Sequence, residues 1–285
     1  MGRPMSRNLL GAGYKVVVHD IAPESVENAV AAGAERGESP KDVASRTDII
    51  VTMLPDAADV EQVLMGPDGV LEGAGRGAIV IDMSSVSPIA SQKFSAACEG
   101  KGVDFLDAPV SGGEPKAIDG TLAIMVGGRQ EVLDQALPVL QAMGSTVTLT
   151  GPVGSGNVTK LANQIMVAGN IVAMGEALVL ATRAGVDPEV VFNAVRVGLA
   201  GSTVLDAKAP MVYSRDFKPG GRISLHEKDL RNALHTAESF GVPLPFTSMA
   251  QQMMRALINT SRGDLDHSAL VQFTEQLAQV EVKKG

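Results

Sequence analysis

Lys160 is the residue whose setting most suggests proton chemistry. The turn Gly154-Ser-Gly156 predicts a helix starting near Asn157, which puts this cation in the first turn, where the positive end of the macrodipole disfavours it. Structure alone would prefer an acid there. That field, with partial desolvation at a domain interface, pushes a lysine pKa down and eases proton transfer near neutral pH. Asn163 and Gln164 follow three and four residues later on the same helix face, so both amides can reach one ligand. A second candidate is Ser111-Gly112-Gly113, just after a predicted strand ending at Ala108-Pro109. Consecutive glycines let backbone N–H groups approach an anion, and the serine adds a hydroxyl donor. A carboxylate fits such a nest.

Strands must position these groups. Short β-branched runs at 15–19, 48–54, 78–82, 103–108, 122–126 and 146–149 alternate with helical patterns, a βα rhythm that implies a parallel sheet covered on both faces. After Gly151-Pro152 the rhythm gives way to helical spacing, from Asn157, Pro188, Ser224, Pro245 and Ser268 onward. The expected architecture is an α/β Rossmann-type domain over residues 1–152 and an all-helical domain over 153–285.

The start of the chain is unusual. A short helix from Pro4 to about Gly11, a strand Lys15-Val-Val-Val-His19 and a terminal Asp20 read as the tail of a dinucleotide-binding βαβ unit, in which the acid holds a ribose 2′-OH. The first strand and first two glycines of that unit are missing, so the chain reads as shortened or begun at a misplaced start. Asp20 has no adjacent Arg to offset the extra phosphate of NADP, so NADH is expected to be preferred, with NADPH the second choice. Leu54-Pro55 and Ser84-Ser85 end two strands and should face the dinucleotide.

Composition excludes other classes. The 285 residues are 45% apolar and carry 24 basic against 32 acidic side chains, a net charge of −8 that disfavours nucleic acid or an anionic membrane surface. Apolar runs such as 49–54 fall short of a membrane span. The single Cys98 forms no internal disulfide, and no Cys/His cluster suggests a metal, which fits a reducing cytoplasm. His19, His226, His235 and His267 have no second His or carboxylate at catalytic or metal spacing and read as loop or surface residues, while Met166 and Met174 read as core filler.

Met1-Gly2-Arg3-Pro4-Met5, Asp107-Ala-Pro-Val-Ser-Gly-Gly113, Gly154-Ser-Gly-Asn-Val-Thr-Lys-Leu-Ala-Asn163 and Lys228-Asp229-Leu230 occur in order over the whole chain. Together they resemble the β-hydroxyacid dehydrogenase family (3-hydroxyisobutyrate dehydrogenase-like). The segments 112–120 and 198–210 resemble most the branch that reduces tartronate semialdehyde to D-glycerate. The resemblance implies a Rossmann domain, a long interdomain helix, a homodimer or homotetramer built through the helical domain, and a small anionic aldehyde or hydroxy-acid substrate. It implies Lys160 as proton donor, Ser85 on the nicotinamide side, Gly2 in the cofactor-binding turn, and Lys228 near cofactor and substrate with Asp229 beside it. Many members carry Asn four residues after the lysine, where this chain has Gln164. Ser202 in Gly201-Ser-Thr203 is read either as a contact to the substrate's far hydroxyl or as the cap of the following helix. Two alternatives accompany this reading: 3-hydroxyisobutyrate or another semialdehyde as substrate, and an inactive chain serving only as a helical dimerisation scaffold.

Overall fold

The computed structural model describes residues 1–284 and falls into two compact units, Met1–Lys160 and the residues from Leu161 onward. The first unit runs α1 (Gly2–Gly11), β1 (Val17–Val18), α2 (Pro23–Ala31), β2 (Glu35–Arg36), α3 (Pro40–Ser45), β3 (Ile49–Thr52), α4 (Ala57–Met65), α5 (Val70–Gly73) and β4 (Ile79–Asp82). It continues with α6 (Pro88–Glu99), β5 (Asp104–Asp107), β6 (Val110–Ser111), α7 (Gly113–Ile118), β7 (Leu122–Gly127), α8 (Gln130–Gln141), β8 (Gly144–Gly151) and the start of α9 (Ser155–Arg183). Local chemistry sets the helix starts. Ser39 and Ser87 cap α3 and α6 just ahead of Pro40 and Pro88, and Asp56 with Asp59 forms a capping box on α4.

A six-stranded sheet carries the hydrogen-bonded order β3-β4-β5-β7-β6, with β8 also on β7, and β1 pairs with β2 in a separate parallel sheet. Ladders β3–β4, β4–β5 and β7–β8 are parallel as expected, but β7 runs antiparallel to both β5 and β6. The all-parallel expectation fails here because the chain turns back at Ser111-Gly112-Gly113 through the six-residue α7, too short for a crossover that would bring the next strand in parallel. Gly112 and Gly113 take φ of 134° and 69°, a reversal open to glycine alone. β4 is buried at every position, and two apolar clusters form this unit's core, one around Ile81, Leu106 and Ile124 and the other around Val80, Phe94 and Cys98. Burial pushes the Cys98 thiol up to about 12.

In the second unit α9 continues and is followed by α10 (Pro188–Val195), α11 (Thr203–Tyr213), α12 (Ile223–Ser239), α13 (Pro245–Asn259), a 3-10 turn (His267–Leu270) and α14 (Val271–Ala278). α9 is long and apolar enough by composition to cross a membrane, which shorter apolar runs did not suggest. Ala168, Ile171, Val172, Leu178 and Val179 bury one face of it in the unit's core, as a core helix does. Met174 is core as expected, whereas Met166 is exposed. The tail is tied down as well. Buried Val282 donates its N–H to Glu275 Oε1 at 2.8 Å, Arg215 Nη1 donates to that same oxygen at 2.6 Å, and Lys284 N donates to Tyr213 O at 3.1 Å.

Candidate active site

In the first unit the expected residues gather at strand ends. Asp20 lies two residues beyond β1, exposed, with Oδ1 accepting from Ala22 N at 2.8 Å. The neighbouring strand places Arg36 in register with Val18, bringing a cation closer to Asp20 than sequence adjacency indicates. Beyond β3 and β4 a buried polar knot fixes the next segments. Asp82 Oδ1 accepts from Thr52 Oγ1 at 2.8 Å and from Ser84 N at 3.1 Å, and Ser84 Oγ accepts from Leu54 N at 2.9 Å. Pro55 follows Leu54 in that anchored loop, and half-buried Ser85 follows Ser84.

Ser111 ends β6, half-buried, and Gly112-Gly113 both take positive φ and turn the backbone there. A Cβ on Gly112 would lie 2.7 Å from the Lys116 side chain, so this turn has no room for a larger residue. Gly2 is the first residue of α1, and a Cβ there would meet Met53 at an ordinary 3.9 Å, so it packs closely without being sterically obligatory.

Lys160 is buried, 8% exposed, but it does not lie in the first turn of its helix. The helix begins at Ser155, which makes Lys160 its sixth residue and puts it beyond the first turn, where the helix-end field has fallen off. The acid expected at that helix start arrives from another strand. Asp107 Oδ1 accepts from Gly154 N at 2.7 Å and Oδ2 from Asn157 N at 2.8 Å. Burial pushes the Asp107 carboxyl up to about 6, opposed by these two N–H groups and reinforced by the Asp82 charge. Neither Asp107 nor Asn157 was singled out from sequence, although both sit inside the motifs that were.

In the second unit Asn163 Nδ2 donates to Gln164 Oε1 at 3.0 Å, and Gln164 Nε2 donates to Asp229 Oδ2 at 2.6 Å. Asp229 Oδ1 stands 3.3 Å from Lys228 Nζ, and both side chains are buried, so the pair is no solvated surface bridge. His226 and His267 overturn the expectation set for them. His226 is buried, its Nδ1 is 2.9 Å from His267 Nδ1, and its Nε2 is 3.1 Å from the carbonyl oxygen of Gln164. Forty-one residues separate the two rings in sequence, a distance at which no spacing rule operates. His19 and His235 are exposed as expected. Ser202 accepts from Leu205 N at 2.9 Å and caps α11, the second of the two roles considered for it. Among the described residues no cluster of His, Cys, Asp or Glu has metal-binding arrangement.

The chain matches two family models in succession: the NAD binding domain of 6-phosphogluconate dehydrogenase over residues 1–151 and the NAD-binding domain of NADP-dependent 3-hydroxyisobutyrate dehydrogenase over 154–274. It is 42% identical to the 2-hydroxy-3-oxopropionate reductase of Escherichia coli, over 98% of this chain and 95% of that one. With the 2-(hydroxymethyl)glutarate dehydrogenase of Eubacterium barkeri the identity is 38%, over 100% and 95%. Among solved structures, 3-hydroxyisobutyrate dehydrogenase of Mycobacterium tuberculosis with L-serine superposes with a TM-score of 0.89 at 32% identity, over 96% and 95% of the two chains.

Proposed function

The chain belongs to the 3-hydroxyisobutyrate dehydrogenase-like family of NAD-dependent 3-hydroxyacid dehydrogenases, and from that premise we propose that it reduces tartronate semialdehyde (2-hydroxy-3-oxopropionate) to D-glycerate with NADH. The substrate choice rests on the 42% identity to the Escherichia coli enzyme along nearly the full length of both chains.

The residues of the first unit fit a dinucleotide. Asp20 is exposed at a strand end with Oδ2 left for ribose hydroxyls, and the Leu54-Pro55 and Ser84-Ser85 segments are immobilised by the Asp82 knot. When bound, NADH supplies the hydride for the aldehyde carbon. Lys160 Nζ gives the proton to the carbonyl oxygen, and its burial keeps competing water away. The Ser111 hydroxyl and the N–H groups of Gly112 and Gly113 hold the substrate carboxylate. Asn163 and Gln164 orient the substrate hydroxyl or the lysine, with Gln164 braced by Asp229 and Asp229 by Lys228.

A reducing cytoplasm suits the lone buried Cys98. Assembly into a homodimer or homotetramer through the helical unit is supported by exposed apolar side chains such as Met166, Leu180, Val190 and Phe240. The second substrate reading, 3-hydroxyisobutyrate, draws on the 32% identity to the mycobacterial 3-hydroxyisobutyrate dehydrogenase over 96% of this chain. Titration with NADH and NADPH, then turnover with tartronate semialdehyde and with methylmalonate semialdehyde, tests the proposal. Faster NADH-dependent turnover of tartronate semialdehyde is expected. Preference for the methyl-bearing substrate overturns the substrate assignment, and cofactor-independent inertness toward both favours the scaffold reading.

A further inference from the structure

Asp107 has no exposed surface and no part in the chemistry described above, yet both of its carboxylate oxygens are committed. Their donors, Gly154 N and Asn157 N, lie at the start of α9, where no carbonyl one turn back within the helix is available to them. The approach is close. A Cβ on Gly156 would lie 2.6 Å from the Asp107 carbonyl oxygen and 2.9 Å from Oδ2, and a Cβ on Gly127 would strike Oδ1. Asp107, together with the Met125 carbonyl oxygen 2.5 Å from a Cβ on Gly156, thus leaves no room for a side chain at either glycine. Asn157, having given its backbone N–H to Asp107, directs its side chain elsewhere: Oδ1 accepts from Val86 N at 3.1 Å, and Nδ2 donates to Ser91 Oγ at 3.0 Å. Val86 is the residue after Ser85, and Lys160 is three residues beyond Asn157 on α9.

We infer that Asp107 and Asn157 form a positioning clamp that ties the β5 end, the Ser84-Ser85 loop and the first turn of α9 together, and thereby fixes where Lys160 delivers its proton. This rests on the role proposed for Lys160. Neither residue touches substrate. An asparagine at 107 offers one acceptor oxygen where two N–H groups wait, so one of them is left without a partner and the helix start slackens. Asp82 on β4 is the charged group that faces Asp107, β7 presents Gly127, and α9 presents backbone N–H groups.

Asp107→Asn and Asn157→Ala separate the two halves of the clamp. Asp107→Asn is expected to speed amide exchange at Gly154 and Asn157 and to lower kcat about 100-fold, the scale on which displacement of a reacting group by about 1 Å acts. Its KM for substrate and its Kd for NADH should stay within about threefold, and its solvent isotope effect on kcat should rise as proton delivery becomes limiting. Asn157→Ala should speed exchange at Val86 while Gly154 stays protected, with a smaller loss of kcat. Unchanged exchange at Gly154 and Asn157 in Asp107→Asn would overturn the clamp. Faster exchange with kcat and the isotope effect unchanged would overturn its positioning of Lys160. A wild-type chain that turns over no hydroxy acid sinks the reaction alone, and the exchange data then decide the clamp.

Discussion

Asp82 and Asp107 are register partners at the ends of adjacent parallel strands, so two buried carboxyl groups stand side by side, one bonded to the Ser84-Ser85 loop and the other to the start of the helix that carries Lys160. Burial, with Asp82 adding to it, raises the Asp107 pKa to about 6 despite two N–H donors. In the unfolded chain a carboxyl titrates near ~3.9, so the folded state binds this proton more tightly. The stability it contributes is present below about pH 4 and is lost as pH rises through 6, roughly 2–3 kcal/mol in all. Asp107→Asn does not titrate. In urea unfolding, the wild-type free energy minus that of the variant should fall between pH 4 and pH 7, and a constant difference would contradict the assignment.

Replacing Lys160 by Met keeps the length and the buried packing of the stem while removing the proton. The kcat for aldehyde reduction is expected to fall by about 10²–10⁴, the usual worth of a general acid, with the Kd for NADH unchanged. Steady-state kinetics beside a fluorescence titration would show it, and retention of kcat would remove Lys160 from the chemistry.

On the proposed NADH reading Asp20 opposes a 2′-phosphate, while Arg36, in register with Val18 on the paired strand, is a cation that would favour one. Asp20→Ser should raise the ratio of NADPH to NADH efficiency by about tenfold or more, since it deletes a like charge near the phosphate. The double change with Arg36→Ala should reverse part of that gain. Measuring kcat/KM with both cofactors decides it.

Ser111→Ala removes one donor from the proposed carboxylate nest and leaves the fold intact. A hydrogen bond to a charged group is worth about 1.5–3 kcal/mol, so the substrate KM should rise by roughly ten- to a hundredfold with NADH binding unaffected. Equal KM values would place the carboxylate elsewhere.

Two glycines offer a matched comparison of stability. A Cβ on Gly156 would lie 2.5 Å from the Met125 carbonyl oxygen, whereas at Gly75 nothing stands within 4 Å. Gly156→Ala should lower stability by about 1–3 kcal/mol or more, as overpacking does, and Gly75→Ala should leave the melting temperature nearly unchanged. A tolerated Gly156→Ala would show that β5 and α9 are less closely seated than described.

What could be read in advance was what is local. The Ser-Gly-Gly reversal, the strand-end position of Asp20 and the long helix bearing Lys160 each follow from a few contiguous residues. The antiparallel β7 did not, because the βα rhythm records alternation and not the direction in which a short connection returns the chain. Asp107 opens a recognisable motif, but its partners lie 47 and 50 residues away, and the role of a carboxylate at a distant helix start leaves no periodicity. His226 and His267 are illegible for the same reason, since two lone histidines become a pair only after α12 and the 3-10 turn have packed together. The misplaced helix start moved Lys160 by half a turn, enough to change the physical argument for it while leaving its burial.

The tied-down tail has a consequence for biosynthesis. Every member of the first unit's apolar clusters has been made once the ribosome has passed Val153, whereas the cluster of the second unit waits for Val282 and its clasp by Arg215 and Glu275. The strand-rich unit can therefore fold while the helical one is still emerging, and its Ser111 turn takes shape before α12 has been synthesised.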